Sequence, residues 1–158
     1  MTKKHVKITT GFVQADYNFW VGKYMDKFYD GLESKQVLGN KCPTCNQVFV
    51  PPRKVCGSCF KTIDLDNNWI ELKDTGTLLN FTTTSIAISE SGKKELPDEI
   101  IIGMVQFDRS DTAVVYPLLD TQEKDLTIGM KVQVVWNDEL KGHPKDIKGF
   151  RKFEGGEK

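Results

Sequence analysis

Apolar residues recur every three or four positions between residues 15 and 37, and every second position in several short runs from residue 68 onward. In "ADYNFWVGKYMDKFYDGLESKQV" (15 to 37), Tyr17, Trp20 or Val21, Tyr24, Phe28 and Leu32 fall on one stripe, which predicts a helix. Asp16 is a candidate N-cap. Gly31 is a candidate break or end of the first helix. The stripe is unusually aromatic. It is either the buried face of a helix packed on its own domain or a face laid on a partner protein, since aromatics are enriched in interface cores. On the second reading Tyr17, Trp20, Tyr24 and Phe28 are the contact residues.

The later period is that of strands. "NWIELKD" (68 to 74) alternates, and "GTLLNFTTTSIAI" (76 to 88) is rich in Thr, Ile and Phe, which favours a long strand. "SESGKKELPDE" (89 to 99) reads as a polar loop. "IIIGMVQFD" (100 to 108) is a strand with Gly103 as a candidate bulge, and "AVVYPLLD" (113 to 120) is another, with Pro117 placing it at an edge or bend. In "MKVQVVWND" (130 to 138) Val132, Val134 and Trp136 alternate with other residues, and "IKGFRKFEG" supplies a last strand. Five or six short strands with few helices predict a small antiparallel barrel or sandwich. A long, bent early strand in about 90 residues fits a five-stranded OB-fold barrel. The expected organisation is a tail and aromatic helical segment (1–39), a small cysteine module (40–66), and the barrel with a C-terminal tail (67–158). The fold class is mainly β with an N-terminal helix.

The chain has 158 residues, 22 basic and 22 acidic, so the formal net charge is zero. That balance argues against nucleic acid as a partner, because phosphate neutralisation by a basic excess supplies most of such affinity. No run of 18 apolar residues is present, so no membrane span is expected. The N-terminal "MTKKHVKITTGF" has no apolar h-region, so no secretory signal is read and the default compartment is the cytoplasm.

The candidate chemistry lies in "NKCPTCNQVFVPPRKVCGSC" (40 to 59), which holds Cys42, Cys45, Cys56 and Cys59, all the cysteines of the chain. Two disulfides suit a secreted chain, and no export signal is read. A redox motif uses one C-x-x-C beside a βαβ pattern, which is absent. Two matching pairs fit one zinc ion better than iron or disulfides: each turn offers thiolates about 3.5–4 Å apart, and two facing turns close a tetrahedron. Gly57 is expected to supply the cramped conformation of the second turn, Pro51 and Pro52 to stiffen the connection, and "VFVPP" to form a short strand. Four cysteine ligands leave no open coordination position, so the site is structural.

Catalytic patterns are absent. No nucleophile elbow, phosphate loop or H-E-x-x-H occurs. His5 and His143 fall in expected surface segments, the latter in "LKGHPKD". The acidic pair Asp98 and Glu99 reads as a solvated loop. With every thiol in the metal site, no self-sufficient active site is expected.

An aromatic helix with "FW", a four-cysteine ribbon ending in "PPRKVCGSC", a barrel opening with "DTGTLLNFTTT", and "LTIGMKVQVVW" near the end resemble the rubredoxin-like zinc-ribbon/OB-fold family of acyl-CoA-associated proteins. The resemblance covers about residues 16 to 153. It implies Cys42, Cys45, Cys56 and Cys59 as ligands of one structural zinc ion. It also implies a non-catalytic accessory subunit of a thiolase-fold acyltransferase, with the catalytic residues on the partner chain and CoA or acyl-CoA as a ligand of the complex. Within the family the chain is most similar to accessory subunits of arylsuccinyl-CoA thiolases in anaerobic aromatic degradation. The resemblance transfers no CoA-binding residue. Arg53 matches a basic family position and reads as a surface cation packing its stem on the ribbon. The competing reading is a zinc-ribbon/OB protein that binds single-stranded nucleic acid with exposed aromatics.

Overall fold

The computed structural model describes residues 11, 15, 17–89 and 92–155, and for 87–89 and 92–98 the backbone alone. Asp16 and His5 lie outside the described residues. One helix, α1 (Lys23–Glu33), is followed by β1 (Val37–Lys41), β2 (Val48–Phe49), β3 (Trp69–Leu72), β4 (Thr75–Ser89), β5 (Gly92–Phe107), β6 (Ala113–Leu118), β7 (Lys131–Trp136) and β8 (Ile147–Lys152).

The helix starts later than its apolar spacing predicts. Gly22 stands before it at φ 86° and ψ 156°, and no side chain caps the first turn. Glycine reaches that backbone conformation without a Cβ clash, and it turns the chain out of the helical path. Tyr17 to Val21 therefore precede α1, and only Tyr24, Phe28 and Leu32 of the expected stripe lie on it. Gly31 does not break the helix. It is buried, and a Cβ there would sit 2.8 Å from Leu38 Cδ1, so the glycine lets β1 approach. The turn is closed after Glu33, where the Gln36 N–H donates to the Gly31 carbonyl at 2.8 Å and Lys35 takes φ 58°.

β1 lies between β2 and β3 in a three-stranded antiparallel sheet. β1 was not legible as a strand, and the strand at Trp69 pairs with it rather than with the barrel. The remaining five strands close a barrel in the order β4-β5-β6-β8-β7, which is the OB-like architecture expected. Most of the segment read as a loop is strand: β5 begins at Gly92 and pairs with β4 as far as Ser89↔Gly92. Beyond Thr84↔Ile100 these two strands pair only with each other, as a ribbon leaving the barrel. The stretch "GKKELPDE" carries no period-two apolar signal, which is why it reads as a loop.

Gly103 is not the bulge. The register shifts fall at Leu78/Asn80 and Thr84/Ile86 on β4. Gly103 is needed because it points inward, where a Cβ would lie 2.7 Å from Leu118 Cδ2 and 3.0 Å from Leu78 Cδ1. Pro117 marks the place where β6 loses its second neighbour, since β6 pairs with β8 only at Leu118↔Phe150.

Helix, ribbon sheet and barrel share one core. Phe28 and Leu32 of α1, Val37, Val48 and Leu72 of the sheet, and Leu78, Val105, Phe107, Val132 and Phe150 of the barrel form one buried cluster. A hydrogen-bonded joint adds to it. The Val48 N–H donates to Asp111 Oδ2 and the Asp111 N–H to the Val48 carbonyl, both at 2.8 Å. The Thr112 hydroxyl accepts from the Val50 N–H and donates to the Val50 carbonyl, again at 2.8 Å. The turn before β6 is thereby hydrogen-bonded to the outer edge of β2.

Gly103→Ala adds a methyl group to a filled core, where overpacking typically costs about 1–3 kcal/mol. Urea denaturation should show that loss with an unchanged slope; a midpoint equal to that of the wild type would show that Leu118 yields freely.

Candidate metal centre

Each C-x-x-C is built as the same hydrogen-bonded knuckle. In the first, the Cys42 N–H donates to the Gln47 carbonyl at 2.7 Å and the Asn46 N–H to the Cys42 carbonyl at 3.0 Å. In the second, the Cys56 N–H donates to the Lys61 carbonyl at 2.9 Å and the Phe60 N–H to the Cys56 carbonyl at 3.1 Å. The cramped position is the residue just after the second cysteine in each knuckle. Asn46 has φ 63° and Phe60 has φ 57°. Gly57, expected to carry the strain, does not have positive φ; a Cβ there meets only Arg53 Nη1, at 3.5 Å. Asparagine tolerates the left-handed region through its short polar side chain, whereas phenylalanine pays a steric cost there.

The two knuckles face each other. Cys42 Sγ lies 3.4 Å from Cys59 Sγ and Cys45 Sγ lies 3.5 Å from Cys56 Sγ. All four sulfurs fall within 4.8 Å of one another. Those separations exceed the ~2.05 Å of a disulfide. They approach the roughly 3.8 Å edge of a tetrahedron with Zn–S bonds of about 2.3 Å. Four cysteines are thus positioned to bind one metal ion. Cys42 and Cys56 are fully buried, and Phe49 and Ile63 complete a small cluster around them.

The backbone prepares the sulfurs for charge. The N–H groups of Cys45 and Thr44 donate to Cys42 Sγ and draw its pKa down to about 6, against the opposing effect of desolvation. Cys56 is lowered in the same way by the N–H groups of Cys59 and Ser58. At Cys45 the Gln47 N–H works in the lowering direction, but desolvation and the neighbouring sulfurs of Cys56, Cys42 and Cys59 push it up to about 12. The Lys61 N–H acts likewise on Cys59, whose pKa is nevertheless raised. Four adjacent thiolates repel one another, and a bound divalent cation removes that repulsion and draws off the remaining protons.

Residues that the sequence did not single out hold this arrangement. Asn40 is fully buried; its Nδ2 donates to the Arg53 carbonyl at 2.6 Å and its Oδ1 accepts from the Arg53 N–H at 3.1 Å. It thus ties β1 to the connection between the knuckles. Gln47 Oε1 accepts from the Ser58 hydroxyl at 2.6 Å, joining one knuckle to the other. A lone polar residue in an apolar run was the only signal for Asn40. Arg53 itself lies over the Phe49 ring, 5.3 Å from its centroid.

Phe28 is buried, and Tyr24 is half-buried with its hydroxyl donating to the Ile63 carbonyl at 2.6 Å. Both serve the packing of α1 on this chain. Tyr17 and Trp20 are 82% and 70% exposed, with Phe19 at 81% between them. Trp20 Nε1 donates to Asp26 Oδ2 at 2.7 Å, which ties the segment to the first turn of the helix. His143 is exposed and its Nδ1 accepts from the Lys145 N–H at 3.1 Å, capping the short turn Pro144–Asp146. Among the described residues, no helix is long and apolar enough to cross a membrane.

Residues 30–66 match the family described as "ChsH2, rubredoxin-like zinc ribbon domain", and residues 69–137 match "ChsH2, C-terminal OB-fold domain". A "DUF35 domain-containing scaffold protein" of Methanocaldococcus jannaschii is 22% identical over 100 residues, 63% of this chain and 67% of that protein. Two solved structures share the fold. A DUF35-family protein of unknown function from Sulfolobus solfataricus superposes with a TM-score of 0.58 at 22% identity, over 84% of this chain and 83% of that one. The Ltp2-ChsH2(DUF35) aldolase gives 0.57 at 18%, over 80% and 91%.

Purified protein should carry one equivalent of zinc, and Cys42→Ser or a strong chelator should unfold the ribbon, because the binding energy of a closed site is folding energy. Elemental analysis with circular dichroism checks this; a metal-free chain with an intact ribbon would contradict it. Phe60→Gly should keep the metal and raise stability by up to about 1 kcal/mol, since it relieves a left-handed strain of about 1–2 kcal/mol per residue. A thermal melt monitored at constant zinc reads that difference. In sequence order, the chain is built of the ChsH2-type zinc ribbon and the ChsH2-type OB-fold domain.

Proposed function

We propose that this chain is a non-catalytic accessory subunit of a thiolase-type acyl-CoA acyltransferase, which stabilises the complex and helps position the CoA thioester. The observation that carries the reading is the run Tyr17, Phe19, Trp20, three aromatic side chains at least 70% exposed ahead of α1, with Trp20 hydrogen-bonded to Asp26. Large aromatics left in water on a folded domain are the residue type that anchors interfaces. The partner-contact role narrows to Tyr17 and Trp20, with Phe19 added, because Tyr24 and Phe28 are used internally. All four thiols face a closed metal site, so the reacting groups are assigned to the partner. One relative is named a scaffold protein and one structural neighbour is an aldolase of Ltp2 with ChsH2(DUF35), which supports a role beside a catalytic chain. The resemblance noted above supports a thiolase as that chain and anaerobic aromatic degradation by the benzylsuccinate route as the setting. Zinc is the structural metal, CoA or acyl-CoA a ligand of the complex, and the cytoplasm the compartment.

The nucleic-acid reading finds little support. Phe107 is buried, and Phe81 and Trp136 pack against the core, so these aromatics do not form an open stacking platform.

The test is to assay the thiolase-like chain alone, this chain alone, and both together, with an aryl-substituted 3-oxoacyl-CoA and free CoA. Turnover should need both chains. Full activity of the thiolase-like chain alone, or turnover by this chain alone, refutes the proposal. Trp20→Ala should weaken association by about 2 kcal/mol or more. The melting temperature of the isolated chain should be unchanged; equal loss of stability without loss of assembly would mark Trp20 as structural.

A further inference from the structure

The barrel is closed at only one point along β6. Ala113–Leu118 pairs with β5 throughout, but meets β8 at Leu118↔Phe150 alone. Along Ala113–Tyr116, alternate residues therefore direct backbone N–H and C=O groups away from β5 with no ladder partner, as on any free strand edge. Beside this edge runs a groove of about 630 Å³, within the ~300–1,000 Å³ usual for ligand clefts. Phe28 of α1, Val114 and Ile147 line it with apolar surface, and Val115, 64% exposed, stands at its lip. On the outer face of the barrel, Val115 pairs with Met104, itself 39% exposed, so the apolar surface continues across β5.

The charge at the groove has one sign. Lys145 and Lys148 line it and are both exposed, and no acidic residue does. Among the described residues, neither lysine lies in an ion pair. That sign excludes two occupants. A second copy pairing edge to edge would bring the same lysines together, because a two-fold contact is self-complementary. The N-terminal stretch of this chain has Lys3, Lys4 and Lys7 and no acid before Asp16.

We propose that the free edge of β6 accepts an extended, acidic segment of a partner protein as an added strand. Its backbone completes the β6 ladder, its alternate apolar side chains enter the groove, and its carboxylates face Lys145 and Lys148. This goes beyond the accessory-subunit reading and holds whether or not the partner is a thiolase.

The probes are three blocked, fluorescein-labelled heptapeptides: alternating glutamate and valine, alternating lysine and valine, and alternating glutamate and proline. Each is titrated against the full zinc-loaded chain by fluorescence anisotropy, and amide hydrogen exchange is measured with and without peptide. The glutamate–valine peptide should bind at least tenfold more tightly than the other two and slow exchange within residues 113–116. The double variant Lys145→Glu/Lys148→Glu should reverse the preference between the first two peptides, and Val115→Asp should weaken the glutamate–valine peptide at least fivefold. All three positions are at the surface, and a thermal melt confirms that the variants fold. The proposal is overturned by equal binding of the glutamate–valine and glutamate–proline peptides, which would mean charge attraction alone. Absence of protection at 113–116 also overturns it. So does protection that appears without peptide as the protein dimerises on concentration, which would make a second copy the occupant.

Discussion

The joint between β2 and the turn at Asp111–Thr112 is the constraint on which the molecule depends. It adds to the shared core in holding the four-cysteine ribbon against the five-stranded barrel. Four hydrogen bonds run across it, and each contributes on the order of 1 kcal/mol net. The bond from the Val48 N–H to Asp111 is charge-assisted and stronger. Val48 of this strand and Val50 just after it lie in the core that Phe107, Val132 and Phe150 fill from the barrel side. Hydrogen bonding on one edge and apolar burial on one face together hold the ribbon against the barrel.

Within the ribbon the apolar contribution is small. Its own cluster contains Phe49, Ile63 and two buried sulfurs, too little surface to hold two knuckles with left-handed residues. The metal site supplies the difference, and the protein prepares it with N–H groups aimed at the sulfurs. Asn40 closes the remaining gap. A buried side-chain amide is costly unless bonded, and here both ends are used by the Arg53 backbone, so it locks the connection that Pro51 and Pro52 begin.

Much of this was legible in the sequence. The ligand set was, because identical spacing of four cysteines has few physical solutions. The barrel was too, because strands buried on one face show a period of two. What was missed shares a cause: the deciding interaction is not periodic. Gly22 ends a stripe that Tyr17 and Trp20 appear to extend, because spacing alone cannot distinguish an aromatic in a helix from one just ahead of it. The β5 side of the ribbon beyond the barrel is held by backbone pairing, and its "GKKELPDE" carries no apolar alternation. The left-handed position was assigned to Gly57 because glycine is cheapest there, yet the knuckle geometry imposes it on Phe60. Gly103 was read as a bulge, but the reason for it is the Leu118 side chain fifteen residues later in the chain, which no local pattern reveals.

Helix α1 connects the exposed aromatic run with the groove beside β6. At its N-terminus, Asp26 holds Trp20, and with it the exposed aromatic run, by a direct hydrogen bond. Two residues later Phe28 lines the groove beside β6. The helix is fastened on its remaining sides by Tyr24 to Ile63, by Leu32 in the core, and by Gly31 against Leu38. Each of these fastenings engages the ribbon or the shared core. A chain docking on the aromatic run would thus bear on an element whose other face lines the groove. The same helix is anchored to the ribbon through Ile63, which belongs to the cluster around the sulfurs.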